Sequence, residues 1–207
     1  MIIMSMSESE DLKITSAQLA EDDDLEDGDE LEDLFDDQDP LENASDIDVI
    51  IEKLEGRQRR ITASILIPTS PEKIWEVLTQ YEQLADFIPN LIESRIVGEE
   101  DGQKLIRQVG QQKFMLVKFS ATVVLKMLEI FPRQLQFSQK KGDFKLFQGS
   151  WDLTPLPPSE EQPLQTRLTY SLLIHPPRHM PLQLIERRMR HDLGVNLLAI
   201  CERACLP

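Results

Sequence analysis

From residue 115 to residue 127 every second position is apolar: Met115, Val117, Phe119, Ala121, Val123, Leu125 and Met127. A helix would scatter these side chains around its circumference, whereas a strand sets all of them on one face. The pattern therefore predicts a long strand with one face needing cover. Further strand-like segments fill the region from Glu93 to Ile174, separated by the turn signals "EEDGQ", "FPRQ", "KKGD" and the proline-rich "TPLPPSEEQP". Strands joined by such short connections form an antiparallel meander.

Two flanking segments complete the frame. Upstream, Ile61, Ala63, Ile65 and Ile67 alternate with Arg60, Thr62 and Ser64, which predicts a long strand or a strand pair turning near Gly56. A helix start follows, with Ser70 as cap, Pro71 at the first helical position and Glu72 beside the positive helix end. Ile74, Val77, Leu78 and Tyr81 then keep helical spacing up to "YEQLADFIPN". Downstream, Leu182, Ile185, Met189, Leu193, Leu197, Ile200 and Ala204 draw one apolar stripe along a long terminal helix. The expected class is α+β: a curved antiparallel sheet wrapped around a long C-terminal helix, with a short helix pair after the first long strand. A sheet that wraps a helix without closing tightly on it leaves an apolar cavity, and such cavities are ligand sites.

Charge divides the chain in two. Met1 to Glu55 holds 21 acidic and 2 basic residues, and Gly56 onward holds 16 and 20. The segment 1–45 cannot bury enough apolar surface to offset its ordering entropy and is expected to be a disordered acidic tail, solvated or docking a protein partner through Leu25, Leu31, Leu34 and Phe35. A calcium loop centred on Gly28 fails, because Leu25 and Leu34 fall where carboxylates are required. Residues 46–207 form the expected domain. No run of 18 apolar residues exists for a spanning helix, and the opening "MIIMSMSESE" lacks the features of a signal peptide, so a cytoplasmic protein, in part peripheral to a membrane, is expected.

Motifs for chemistry are sparse. His175 and His179 are separated by Pro176 and Pro177, which forbid the helix that would converge them on a metal. His191 stands among Arg187, Arg188 and Arg190, a basic helix face suited to transient contact with membrane headgroups. Cys201 and Cys205 read as reduced core thiols. No phosphate-cradling glycine loop or nucleophile elbow occurs, and the aromatics do not interleave with basic residues as in a nucleic-acid binder. Neither a metal nor a cofactor is expected. Asp86, Asp143, Asp152 and His175 are the nominees for a general acid or base, none with an evident partner. The aromatics offer more: Phe147, Trp151 and Leu153 share one strand face, as do Leu168, Tyr170 and Leu172, although parity leaves open which face points inward. Gly149 interrupts its strand, to leave room for a ligand or for a close approach of helix and sheet.

The order of strand, helix pair "SPEKIWEVLTQYEQLADFIPN", some six strands and a long helix resembles the helix-grip fold of the START and polyketide cyclase/dehydrase (SRPBCC) superfamily. The resemblance rests on "WEVLTQYEQLADFIPNLIESRIV", "GDFKLFQGSW" and "DLGVNLLAICERA" and spans Asp46 to Leu206. It is strongest toward coenzyme Q-binding START-like proteins and their cyanobacterial and plastid relatives. It implies a cavity between sheet and C-terminal helix that takes a prenylated quinone, isoprenoid or lipid, with Phe87, Ile88, Phe119, Phe137, Phe147, Trp151, Tyr170, Ile185 and Met189 as ligand contacts. Phe87, Ile88, Pro89 and Leu91 then form either a lid over the cavity mouth or a cap on the core. The same superfamily allows an aromatase/cyclase/dehydratase enzyme, and an interaction module with a vestigial cavity is the third reading.

Overall fold

The computed structural model describes residues 47–114, 117–157, 164–178 and 182–206. The first strand region is a pair, β1 (Asp48–Lys53) and β2 (Arg59–Ile67). Gly56 adopts φ +59° in the turn between them, a left-handed conformation that costs glycine little. On β2 the alternation holds: Ile61, Ala63, Ile65 and Ile67 are buried.

Helix α1 (Pro71–Thr79) starts as its sequence requires. Ser70 is extended, its hydroxyl accepts the Lys73 N–H at 3.4 Å, and Pro71 and Glu72 occupy the first turn. Ile74, Trp75, Val77 and Leu78 are buried. A 3-10 turn (Tyr81–Gln83) leads into α2 (Leu84–Phe87), which is only one turn long. Its end has a local cause. A proline disfavours helical backbone in the residue before it, and Ile88, preceding Pro89, is extended at φ −81° and ψ 114°. Asn90 at φ 64° then redirects the chain into the sheet.

Six strands follow: β3 (Leu91–Glu100), β4 (Gln103–Phe114), β5 (Val117–Ile130), β6 (Gln134–Gly142), β7 (Leu146–Leu156) and β8 (Gln165–His175). All pairings are antiparallel, in the order β1-β2-β8-β7-β6-β5-β4-β3, so β8 returns to pair with β2 and the sheet curves around its inner face. Val123, Leu125 and Met127 of β5 are buried on that face, with Leu135 and Phe137 of β6, Leu153 of β7 and Leu168, Tyr170 and Leu172 of β8. The register settles the parity question: Trp151 pairs with Leu135 and Tyr170, so all three project to the same inner side.

Gly149 is set against the neighbouring strands and not against a helix. It pairs with Phe137, and a Cβ at this position would lie 2.7 Å from Phe137 Cζ and 2.0 Å from the Ser171 carbonyl oxygen. The missing side chain makes room for the Phe137 ring and for a tight β7–β8 approach.

Helix α3 (Leu182–Cys205) lies over β1, β2 and α1. Leu193, Leu197, Ile200 and Ala204 are buried along it, as the stripe requires. Toward its N-terminus polar ties fasten the helix to the sheet. Arg59, buried at the start of β2, forms an ion pair with Glu186 and also donates to the Gly56 and Gln58 carbonyls. Arg190 donates to the Val49 carbonyl of β1 at 2.8 Å. One arginine of the expected solvent-facing basic patch therefore anchors the helix to the sheet edge. Arg187 is exposed, and the Arg188 side chain lies outside the described residues. The same holds for the acidic segment 1–45, with its expected disorder and docking motif, and for His179.

Candidate functional site

A cavity of about 370 Å³ lies under α3, bounded by the inner face of the sheet, by α1 and by the α2–β3 connection. Register fixes its polarity. Leu91 pairs with Gly110, Gly110 with Ala121, and Val123 with Gly142, so the start of β3, the end of β4 and the start of β5 meet at one end of the sheet. Pro89, Asn90 and Ser120 line the cavity there and are exposed, which makes that end the mouth. Leu78, Tyr81, Leu125, Met127 and Leu135 line the closed end.

One wall is aromatic. Phe137 stacks on Tyr170 with ring centroids 5.8 Å apart and planes at 15°, Trp151 lies 4.2 Å from Tyr170, and Phe147 bridges Phe137 and Phe144 at 5.8 and 5.2 Å. Burial of Tyr170 pushes its phenol pKa well above the ordinary range, so it stays neutral. Tyr81 is held neutral first by burial, then by its hydrogen bond to Glu129 at 2.8 Å and by that carboxylate's charge. Lys104 donates to the same Glu129 oxygen at 2.9 Å.

The other wall carries polar groups. Asp192 and Asn196 of α3 border the cavity beside Met189 and Leu193, with Gln108 of β4 among the facing residues. Gln108 donates to the buried Ser94 hydroxyl at 3.3 Å, and Asn90 donates to Asp192 Oδ1 at 3.3 Å, linking the α2–β3 connection to α3. Asn196 Oδ1 is buried with no hydrogen-bond partner.

Of the residues expected from sequence, Ile88, Phe137, Phe147, Trp151, Tyr170 and Met189 border the cavity. Phe87 stands off its wall: the ring packs half-buried against the core with Arg203 of α3 5.9 Å from its centre. The cap reading thus describes Phe87, while Ile88, Pro89 and Leu91 border the cavity. The side chains of Phe119 and Ile185 lie outside the described residues. The acid-base nominees are elsewhere. Asp86 and Asp143 are exposed, the latter accepting the Thr122 N–H at 2.7 Å, and Asp152 bonds Gln134 and Ser150 on the outer face of the sheet. His175 pairs with Leu146 at the end of β8, away from the cavity wall. Sequence reasoning missed Asp192 and Asn196. Their signal was present, because positions 189, 192, 193, 196, 197 and 200 form one helical face, and these two polar residues interrupt it. Among the described residues no group of three His, Cys, Asp or Glu side chains could hold a metal ion, and no helix is long and apolar enough to cross a membrane.

An antiparallel sheet gripping a C-terminal helix around an apolar cavity defines the helix-grip, START-like class. The family model described as "Polyketide cyclase / dehydrase and lipid transport" matches residues 67–198, and the chain belongs to that family. No curated protein matches the chain. Among solved structures it is similar to a STAR-related lipid transfer protein from Xanthomonas axonopodis, at 12% identity and a TM-score of 0.60, over 78% of this chain and 95% of that one. It is also similar to a START superfamily protein from Mycobacterium smegmatis, at 15% identity and 0.58, over 70% and 96%. A third is the Zhui aromatase/cyclase from Streptomyces sp. R1128, at 16% identity and 0.54, over 71% and 93%. At these identities the likeness is one of fold.

Proposed function

We propose that the protein binds a hydrophobic small molecule, a prenylated quinone, isoprenoid or lipid, in the cavity between the sheet and α3. The observation that carries this reading is the cavity itself, enclosed by leucine, methionine and aromatic side chains with a few polar groups near one wall. Burial there shields an apolar ligand from water. In this reading Ile88, Pro89 and Asn90 act as a lid at the mouth, held to α3 through Asp192. Ligand exchange takes place at a membrane surface, with Arg187 and Arg188 attracting anionic lipid and the acidic segment 1–45 opposing that contact. Coenzyme Q is the quinone that the sequence resemblance favours.

Organic extraction of protein purified gently from its native source, followed by mass spectrometry, tests the reading. A stoichiometric hydrophobic compound is expected both from the full chain and from a variant lacking residues 1–45. Met189→Trp should abolish its recovery while leaving the thermal transition in place, because the larger side chain fills the space beneath α3. An empty extract, repeated after incubation with native membranes, would overturn the reading and turn attention to an enzyme using Asp192, the ionisable carboxylate that borders the cavity.

A further inference from the structure

We propose that the cavity recognises a carbonyl oxygen on its ligand, and that Tyr170 makes the recognition by donating its phenol proton to that oxygen. The Trp151 indole N–H is a second donor on the same wall. The inference rests on the hydrophobic-ligand reading and narrows it to ketones, quinones and esters with a largely apolar body.

A buried tyrosine usually finds a hydrogen-bond partner for its O–H, because a polar group taken out of water without one loses its hydration and gains nothing in return. Tyr170 is 8% exposed and borders the cavity, yet among the described residues its hydroxyl has no hydrogen-bond partner. Burial is the sole cause of its raised pKa, and its ring is held by Trp151 at 4.2 Å and Phe137 at 5.8 Å. Because burial keeps the phenol neutral, its proton stays available across the physiological range. Trp151, half-buried, borders the same cavity, and its N–H, which can only donate, is likewise without a hydrogen-bond partner among the described residues. A phenol is a better donor than acceptor, since its oxygen lone pair is drawn into the ring. Both groups therefore ask for an acceptor, and a carbonyl oxygen on a planar body supplies one while its rings lie on the aromatic wall.

The other polar groups of the lining do not oppose this. Tyr81 already donates to Glu129, and Gln108 to Ser94. Asp192 Oδ1 lies 3.3 Å from both Asn90 Nδ2 and His191 Nδ1, so the carboxylate is engaged. Asn196 keeps a buried Oδ1 without a partner, but its carboxamide also carries N–H donors and serves a carbonyl or a hydroxyl according to how it is turned. Asn90 and Ser120 are exposed at the mouth and Gln111 is half-buried there, where water competes for all three. The aromatic wall is thus the enclosed surface with a fixed preference.

Two probes of one shape decide the matter: fluorene, a hydrocarbon, and 9-fluorenone, which carries a single carbonyl oxygen. Both are titrated by calorimetry into the full chain and into Tyr170→Phe, which removes the hydroxyl and keeps the ring. Infrared spectroscopy reads the carbonyl stretch of bound 9-fluorenone. In the full chain the stretch should lie below its value in hydrocarbon solvent. Tyr170→Phe should weaken 9-fluorenone roughly three- to tenfold, the worth of one neutral hydrogen bond, and return the stretch toward the hydrocarbon value. Fluorene should bind the variant as strongly or more strongly, and the thermal transition should stay in place or rise, since the lost hydroxyl had no partner in the fold. An unshifted stretch in the full chain, or 9-fluorenone affinity unchanged by Tyr170→Phe, would overturn the proposal and leave the apolar cavity reading standing. Equal weakening of both probes would also overturn it, because the hydroxyl would then act through packing and not through recognition. Failure of both probes to bind the full chain would overturn the proposal together with the reading beneath it.

Discussion

Replacing Gly149 with alanine is a small chemical change aimed at the tightest point of the sheet. The new Cβ would sit 2.0 Å from the Ser171 carbonyl oxygen, where ordinary contact begins at 3.4 Å, so β7 and β8 must part by about 1.4 Å or twist locally. Backbone is the obstacle, and backbone cannot rotate away as a flexible side chain can. Parting the strands weakens the ladder around the Gly149–Leu172 and Ser150–Ser171 pairs, and two hydrogen bonds at roughly 1 kcal/mol each are at stake. The Phe137 ring, 2.7 Å from the new carbon, has to move as well, which adds an overpacking cost of about 1 to 3 kcal/mol. Together these predict a loss of roughly 3 to 5 kcal/mol, a large part of the stability of an ordinary domain. Urea unfolding of the two proteins, followed by circular dichroism, measures it, and the displaced Phe137 should also disturb the emission of Trp151 through the shared Tyr170 stack. A loss below about 1 kcal/mol with unchanged tryptophan emission would refute the account of Gly149 as a steric necessity.

Other predictions follow from the same contacts. Arg59→Met breaks the ion pair with Glu186 and should cost about 2 to 3 kcal/mol, toward the low end for buried pairs because the Glu186 side chain stays 22% exposed; Arg59→Met combined with Glu186→Leu should recover most of it in denaturant titration. Both tyrosines of the chain have pKa values raised by burial above the ordinary 10.0. The neutral form is thus the folded form: stability from this source is complete below pH 10 and declines as pH rises above it, by about 1.4 kcal/mol per unit for each tyrosine. Tyrosinate absorbance should accordingly appear together with loss of circular dichroism, and a separate earlier titration would contradict the burial of either ring. Burial, reinforced by neighbouring Cys205 and Glu202, pushes the Cys201 thiol up to about 11, whereas Cys205 is exposed. At pH 8 iodoacetamide should label Cys205 first, as peptide mass mapping would show.

The strands and helices were legible because their signals are periodic. Unbroken alternation, described in the structure from Val117 to Met127, excludes a helix, and Ser70-Pro71 announced the start of α1 in its own chemistry. Parity on β7 and β8 correctly grouped Phe147 with Trp151 and Tyr170 with Leu172, yet could not tell inside from outside. That choice is made by strand order, in which β8 returns beside β2 under α3, and strand order is a property of distant pairings. Gly149 was legible as an anomaly, but its cause, the ring of Phe137 on the neighbouring strand, depends on register. Phe87 and Ile88 are adjacent and equally apolar, and only the sharp end of α2 sends one toward Arg203 and the other to the cavity. Asp192 and Asn196 were overlooked because attention followed the apolar members of the stripe, whereas the polar interruptions mark the wall of the site.

The two halves of α3 are fastened by different means, and this separates durability from selectivity. Residues 197, 200 and 204 root the helix in the core, while Glu186 and Arg190 tie its beginning to β2 and β1. The span between, carrying Asp192 and Asn196, roofs the cavity with Met189 like a girder resting on two supports. Substitutions within the span can reshape what the cavity accepts without loosening either support. The shape and polarity of the cavity can therefore be altered through two or three residues on two successive helical turns, keeping the rest of the fold as a scaffold.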